Sequence, residues 1–292
     1  MKHSVILFYK YVTIVEPQAF MEREKAVCDA LELTGRVIIA TEGINATLEG
    51  NKEDIARYIT HIRKDARFKT VDIKETEGKG ALFPRLSMRV RDEVVSSYLS
   101  KDINPRKDTG THLPPAELKK WFAEGKEFEI IDMRNDYEYA VGHFKGSHAS
   151  GMENFRDLEK ITPNFDSLKN KTVLTVCTGG IRCEKASAYL KAKGFTDVYQ
   201  LEGGMHRYME KYPSEDFLGA LYTFDGRVTM HFGGDREIVG TCVHCGAKSE
   251  DFADCMNELC GNHFIACTDC RDETGKVCCT IHYVESTTGV SV

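Results

Sequence analysis

"TVLTVCTGGIRCEKASAYLKAKG", residues 172–194, runs from a strand through a glycine-bearing loop into a helix. "TVLTV" is a short β-rich run suited to a buried parallel strand. "EKASAYLKAKG" has helical character, and the helix is expected to begin at about Cys183. A strand that feeds a helix through six residues belongs to an α/β sheet, and the carboxyl end of such a strand is where these sheets place their sites. Cys177 stands there. Thr178, Gly179, Gly180 and Ile181 allow the loop to curl with its backbone N–H groups turned inward. Those groups and the helix N-terminus favour an anion. The same field lowers the pKa of a thiol within it, and the thiolate is the reactive form. Arg182 either holds a negative charge on a substrate or adds to that field. Cys183 either joins the chemistry or packs beneath the loop. The candidate catalytic group is therefore Cys177, Arg182 and Cys183, on a loop of Thr178, Gly179, Gly180 and Ile181.

Alternation of strands and helices continues on both sides of the loop. "FEIID", "YEYAVGH" and "DVYQL" flank it, and a helix carrying Leu118, Trp121 and Phe122 precedes them. This pattern predicts a mostly parallel sheet over residues 115–213. Residues 96–114, polar and rich in turn formers, read as a linker. Residues 1–95 form a separate unit. "SVILFYKYV" is an apolar strand, and Pro17 opens a helix whose inward stripe is Phe20, Val27 and Leu31. "RVIIA" and "ATLEG" flank the turn "TEGIN" as a hairpin, Asn51 stands at the N-cap of a second helix, and "TVDIK" closes the pattern. The order β-α-β-β-α-β is ferredoxin-like.

"RLSMRVR" reads as one more strand, with Leu86, Met88 and Val90 alternating against Arg85, Ser87, Arg89 and Arg91. Period two puts the three arginines on one face. The chain carries a net charge of −6, yet His61–Arg91 holds nine Lys/Arg against four Asp/Glu. Such a face either attracts phosphates or is simply solvated.

Eight of the 11 cysteines lie between Cys242 and Cys279. No run approaches the ~18 apolar residues of a membrane span, and no secretory signal is evident. A local cluster of thiols in that setting points to a reducing compartment with a metal site or a redox cluster. Cys242-x2-Cys245 and Cys267-x2-Cys270 have the spacing of two zinc-binding pairs. Cys255, Cys260, Cys278, Cys279 and His282 remain for a second site. Residues 214–292 are thus read as a small cysteine-rich region.

These motifs resemble known families. Residues 115–212 are similar to a rhodanese domain. "IIDMRNDYEYAVGHFKGS" matches its entry signature at Asp132, Arg134, Glu138, Gly142 and His143, residues that mostly tie that fold together. "VYQLEGGMHRY" matches its ending. The interval from Cys177 to Arg182 is C-x4-R, one residue shorter than in phosphatases of this fold, and suits a persulfide better than a phosphate. More narrowly, "CTGGIRCEK", the "EGIN" turn at Glu42–Asn45, "RNDYEY" at Arg134–Tyr139, "ENFRDL" at Glu153–Leu158 and Phe224-Asp225-x-Arg227 resemble the tRNA uridine hydroxylases, the TrhO family. The chain departs from that family's pattern in lacking a proline within "GSHASGMENFR". The resemblance implies a cytoplasmic enzyme that hydroxylates the wobble uridine of tRNA to 5-hydroxyuridine, with molecular oxygen as co-substrate. It implies an essential cysteine, here Cys177. The partner is then the anticodon region of tRNA, with Arg85, Arg89 and Arg91 as phosphate contacts and no role for DNA or a membrane. The residues identify no oxygen-activating cofactor, and the thiol spacing, rather than the resemblance, suggests a structural zinc on Cys242, Cys245, Cys267 and Cys270. Two other functions fit the motifs: a sulfurtransferase working through a persulfide, and a non-catalytic tRNA- or zinc-binding adaptor.

Overall fold

Strand β1 (His3–Tyr11) is apolar on both faces, and both are covered. Ile6 and Phe8 point into one core, while Val5, Leu7 and Tyr9 point the other way, toward the rest of the chain. Helix α1 (Pro17–Ala30) starts at Pro17, where a missing N–H leaves no bond unmade. It buries Phe20, Glu24 and Cys28, whereas Val27 and Leu31 of the expected stripe are only partly covered. The hairpin is β2 (Thr34–Ala40) and β3 (Gly43–Asn51). Helix α2 (Lys52–Lys64) follows directly on Asn51, whose side chain makes no capping bond. Strands β4 (Ile73–Glu77) and β5 (Leu86–Val90) complete a sheet of order β4-β1-β3-β2-β5. The first four strands pair antiparallel in ferredoxin-like order, and β5 adds parallel to β2. The computed structural model describes residues 2–100, 102–233, 235–257, 259–271 and 277–280.

The second sheet grows from α3 (Pro105–Asp108), β6 (Thr111–Leu113), α4 (Pro115–Ala123), β7 (Glu129–Asp132), α5 (Asp136–Val141), β8 (Gly142–Phe144), β9 (His148–Ala149), α6 (Leu158–Ile161), β10 (Thr172–Val176), α7 (Ile181–Ala192), β11 (Asp197–Leu201) and α8 (Gly204–Lys211). Its order is β6-β11-β10-β7-β9, with every pairing parallel, so β10 is central and ends at Cys177. The stretch expected to be a linker supplies α3 and β6, and β6 extends this sheet beside β11. "YEYAVGH" divides into a helix and a short strand, because Glu138 accepts from the backbone N–H of Asn135 at 3.0 Å and nucleates α5 there. Helix α7 starts at Ile181, two residues before the expected start. Gly180 takes the left-handed turn that launches it.

Beyond α8 the elements are short: β12 (Phe217–Gly219), β13 (Leu221–Tyr222), β14 (Thr229–Met230), β15 (Phe252–Asp254) and β16 (His263–Ile265). β12 pairs with β8 and β13 with β14, while β15 and β16 form a hairpin inside the cysteine-rich region.

Candidate active site

The fold gives Cys177 a setting made for a thiolate. Its Sγ accepts from the Gly180 N–H at 3.2 Å, and the residue is fully buried. Burial alone raises a thiol pKa. Here donation from the Cys183 thiol, the Arg182 charge and the N–H groups at the start of α7 outweigh it and hold Cys177 well below the ordinary thiol value. Cys183, also fully buried, moves the opposite way: burial, and its hydrogen bond to an anionic neighbour, keep its proton on. The opposite shifts thus make one thiol the acceptor and the other the donor. Two glycines make the cradle possible. At Gly180 (φ 102°) a Cβ would stand 2.7 Å from the Tyr9 hydroxyl, and at Gly204 (φ 68°) one would stand 2.6 Å from the Cys177 carbonyl. Gly204 lets α8 press against the loop, where Met205 and His206 donate to the carbonyls of Cys177 and Thr178.

Arg182 does not offer its fork to a ligand. Nη1 and Nη2 donate to the two oxygens of Glu138 at 2.6 and 2.8 Å, in a buried bidentate pair. Its contribution to the loop is therefore charge. Asp132 and Arg134 form a second buried pair, with Nη2 of Arg134 also donating to the Gly142 carbonyl at 2.6 Å. His143 stacks on Tyr139 with ring centroids 4.0 Å apart. Because the Cys177 pKa is lowered, alkylation by a small uncharged reagent should reach half its maximal rate below the ordinary thiol pKa, and the thiolate should persist at every higher pH. Replacing Arg182 with Met should move that midpoint upward. A midpoint at the ordinary value in the unaltered chain would contradict the description.

Cys177 opens on a cavity of about 320 Å³, within the range of small-ligand pockets. Three parts of the chain wall it. The N-terminal sheet gives Leu7, Tyr9, Arg36, Asn45 and Lys74; the second sheet gives the loop, Asn135 and His206; the segment after β13 gives Phe224, Asp225 and Arg227. Lys74 is buried against Asp72 at 2.8 Å, and burial lowers its pKa. Burial, together with Lys74, Arg207 and Arg227, depresses His206 to about 3, which leaves a neutral imidazole. Arg227 donates to Thr76 Oγ1 at 2.8 Å and so straps the last segment onto β4. None of Tyr9, Lys74 and His206 stood out in the sequence. The signal was there in β1: a strand apolar on both faces has both faces covered.

The seam between the sheets joins the "CTGGIRCEK" stretch to the "EGIN" turn. Lys185 reaches Glu42 of the "EGIN" turn and Glu93, each at 2.8 Å. Glu184 accepts from Tyr9 at 3.2 Å and Gln200 at 3.0 Å and pairs with His112 at 3.1 Å. Arg207 pairs with Asp72 at 2.6 Å.

Arg85, Arg89 and Arg91 are exposed and line one groove along β5 and β2, which Arg36 and Ile38 share with the Cys177 cavity. The groove and the thiol are thus neighbours. In the cysteine-rich region the Sγ atoms of Cys242, Cys245, Cys267 and Cys270 all lie within 4.8 Å of one another, as do those of Cys255, Cys260 and Cys279. His282 lies outside the described residues.

Known families match this chain in three consecutive blocks: a UPF0176 acylphosphatase like domain at residues 3–94, a Rhodanese-like domain at 114–211 and a Rhodanase C-terminal domain at 218–281. A tRNA uridine(34) hydroxylase of Cytophaga hutchinsonii is 40% identical over 277 residues, covering 94% of this chain and 88% of the relative. One from Staphylococcus carnosus is 38% identical over 283 residues, covering 96% and 89%. The crystal structure of a rhodanese-like domain protein from Staphylococcus aureus matches 34% of this chain and 90% of its own length at 33% identity, with a TM-score of 0.28.

Proposed function

Since the chain belongs to the tRNA uridine(34) hydroxylase family, we propose that it hydroxylates uridine 34 of tRNA at C5, with dioxygen as co-substrate and Cys177 as the reactive group. The observation that carries this reading is the buried Cys177 thiol, held by the Gly180 N–H, on a base-sized cavity that adjoins an arginine groove. Thiolate addition to C6 of a pyrimidine forms an S–C6 bond, breaks the C5–C6 π bond and moves its electron pair toward C5. C5 becomes electron-rich and forms the C5–O bond to dioxygen; the second oxygen atom leaves as water, with two electrons and two protons from an external thiol reductant. Loss of the C5 proton and departure of the thiolate restore the double bond. Cys183 supports this cycle as the donor that keeps its neighbour anionic, and Arg182 supports it by charge.

An anticodon base reaches such a chamber only when it is unstacked, with the flanking phosphates held outside. Arg85, Arg89 and Arg91 fit that holding role. Changing all three to Gln should weaken tRNA binding and flatten the plot of log affinity against log salt by about 2, the value for three single-strand phosphates. Binding measured across a salt series tests this, and an unaltered slope removes the groove from the reading. The same reading places the protein in the cytoplasm, where tRNA is found and thiols stay reduced. Among the described residues, no helix is long and apolar enough to cross a membrane.

A structural zinc on Cys242, Cys245, Cys267 and Cys270 completes the proposal. Cys245 and Cys267 stand 3.6 Å apart, and sulfurs bound 2.3 Å from a tetrahedral zinc stand about 3.8 Å apart. The four thiols supply the whole coordination sphere, so this ion would serve the fold and leave no position for substrate.

A further inference from the structure

The cysteine-rich region has only a small apolar core of its own. Its core is Cys242, Ala253, Ala266 and Val277, with Phe264, Cys267 and Cys270 packed against it. The regular structure over it is a hairpin of two three-residue strands, β15 and β16. A lone two-stranded hairpin is marginal in water, and units this small depend on staples. One zinc on the first four thiols clamps the outer ends of the hairpin. Its inner end remains, between Cys255 and Cys260, and a second set of thiols gathers there.

The Sγ atoms of Cys255, Cys260 and Cys279 lie within 4.8 Å of one another, with Cys260 and Cys279 separated by 3.7 Å. That spacing is the edge of a zinc tetrahedron, about 3.8 Å, and nearly twice the ~2.05 Å of a disulfide. Donors already face these sulfurs: the backbone N–H of Cys279 stands 3.4 Å from the Cys255 Sγ, and the Asn262 side-chain amide stands 3.4 Å from the Cys279 Sγ. Such outer hydrogen bonds stabilise thiolate ligands. Cys255 and Cys279 are buried, which would be costly for unpaired thiolates and is favourable for metal-bound ones.

We propose that Cys255, Cys260 and Cys279 form a second zinc site, interleaved with the first. Three thiolates fill three corners and leave the fourth to a further donor. Each Zn–S bond forms as a thiol proton is released, and nothing is oxidised or reduced. Along the chain the ligands alternate: Cys242 and Cys245 to the first ion, Cys255 and Cys260 to the second, Cys267 and Cys270 to the first, Cys279 to the second. The loop closed by each ion contains ligands of the other. Each ion therefore also restrains part of the chain that joins the two halves of the other site. The braced unit in turn carries His263 and Phe252, stacked at 4.8 Å, against Tyr222, whose hydroxyl meets His263 Nε2 at 3.2 Å. Tyr222 packs on Phe224 of the cavity wall at 5.2 Å. The second zinc thus lies at the far end of a chain of contacts that ends beside Arg182.

Elemental analysis of the full chain, purified without added metal, should give two zinc ions per molecule. Cys260→Ser combined with Cys279→Ser should lower this to one, and so should Cys245→Ser combined with Cys270→Ser. A ratio of one that the Cys260/Cys279 pair leaves unchanged overturns the second site. Should either double variant lose its fold, the unaltered chain decides. After zinc is stripped by a chelator, cobalt(II) titration followed by thiolate-to-cobalt charge-transfer absorption should reach its endpoint at two equivalents, and an endpoint at one overturns the proposal.

Discussion

Cys177→Ser is expected to abolish 5-hydroxyuridine in tRNA, by a factor on the order of 10³ or more. The change swaps one atom, yet a serine hydroxyl has no accessible anion at neutral pH. The cradle of Gly180 N–H, Cys183 thiol and Arg182 charge would face a neutral group that cannot add to C6. Nucleoside mass spectrometry of tRNA from cells lacking the protein, and from the same cells given the Ser form, measures the effect. The two samples should match each other and lack the nucleoside. Persistence of 5-hydroxyuridine with Cys177→Ser would end the proposal that this thiol carries the chemistry. Loss of thiolated nucleosides instead would favour sulfur transfer. Thermal stability should hardly move, because the side chain keeps nearly the same shape.

A second variant should act through the fold. Glu138→Ala leaves the Arg182 guanidinium buried with neither of its two bonds, and breaking a buried pair from one side costs about 3–5 kcal/mol. It also removes the carboxylate that accepts from Asn135 and starts α5. The urea midpoint of the full chain should fall sharply. Glu138→Leu combined with Arg182→Met tells charge from packing. Replacing a whole buried pair with apolar side chains is often close to neutral, so most of the stability should return. The Cys177 pKa should then rise for want of the cation, and hydroxylation should stay low. A single Glu138→Ala within about 1 kcal/mol of the unaltered chain would contradict the burial described here.

Much of this was legible before any coordinates. Hydrophobic alternation and glycine placement located both sheets, since burial on one face or two imposes periods that survive in the sequence. The loop from Cys177 to Arg182 was legible because a strand, two glycines and a helix start leave few other geometries. The partner of Arg182 was harder. Glu138 lies far off in the chain, and only folding shows that it takes the whole guanidinium. Tyr9, Lys74 and His206 were silent for another reason. A residue that lines a cavity between domains reads locally as an ordinary strand or helix residue, and its significance comes from what another domain lays over it. Glu184 and Lys185 had marked the family without a visible cause, and the cause is the seam they close with Tyr9, Glu42 and Glu93.

That seam bears on what the reactive loop would be without its neighbours. Residues 114–211 on their own would keep the reactive loop and lose Leu7, Tyr9, Arg36 and Lys74 from one side and Phe224 to Arg227 from another. What remained would be a bare sulfur nucleophile open to any small acceptor, which is a generalist's tool. The shape of the cavity is set by neighbours from outside the loop's own domain. The flanking pieces of chain that wall the cavity are in turn held to the loop domain by ion pairs such as Lys185 with Glu42 and Glu93.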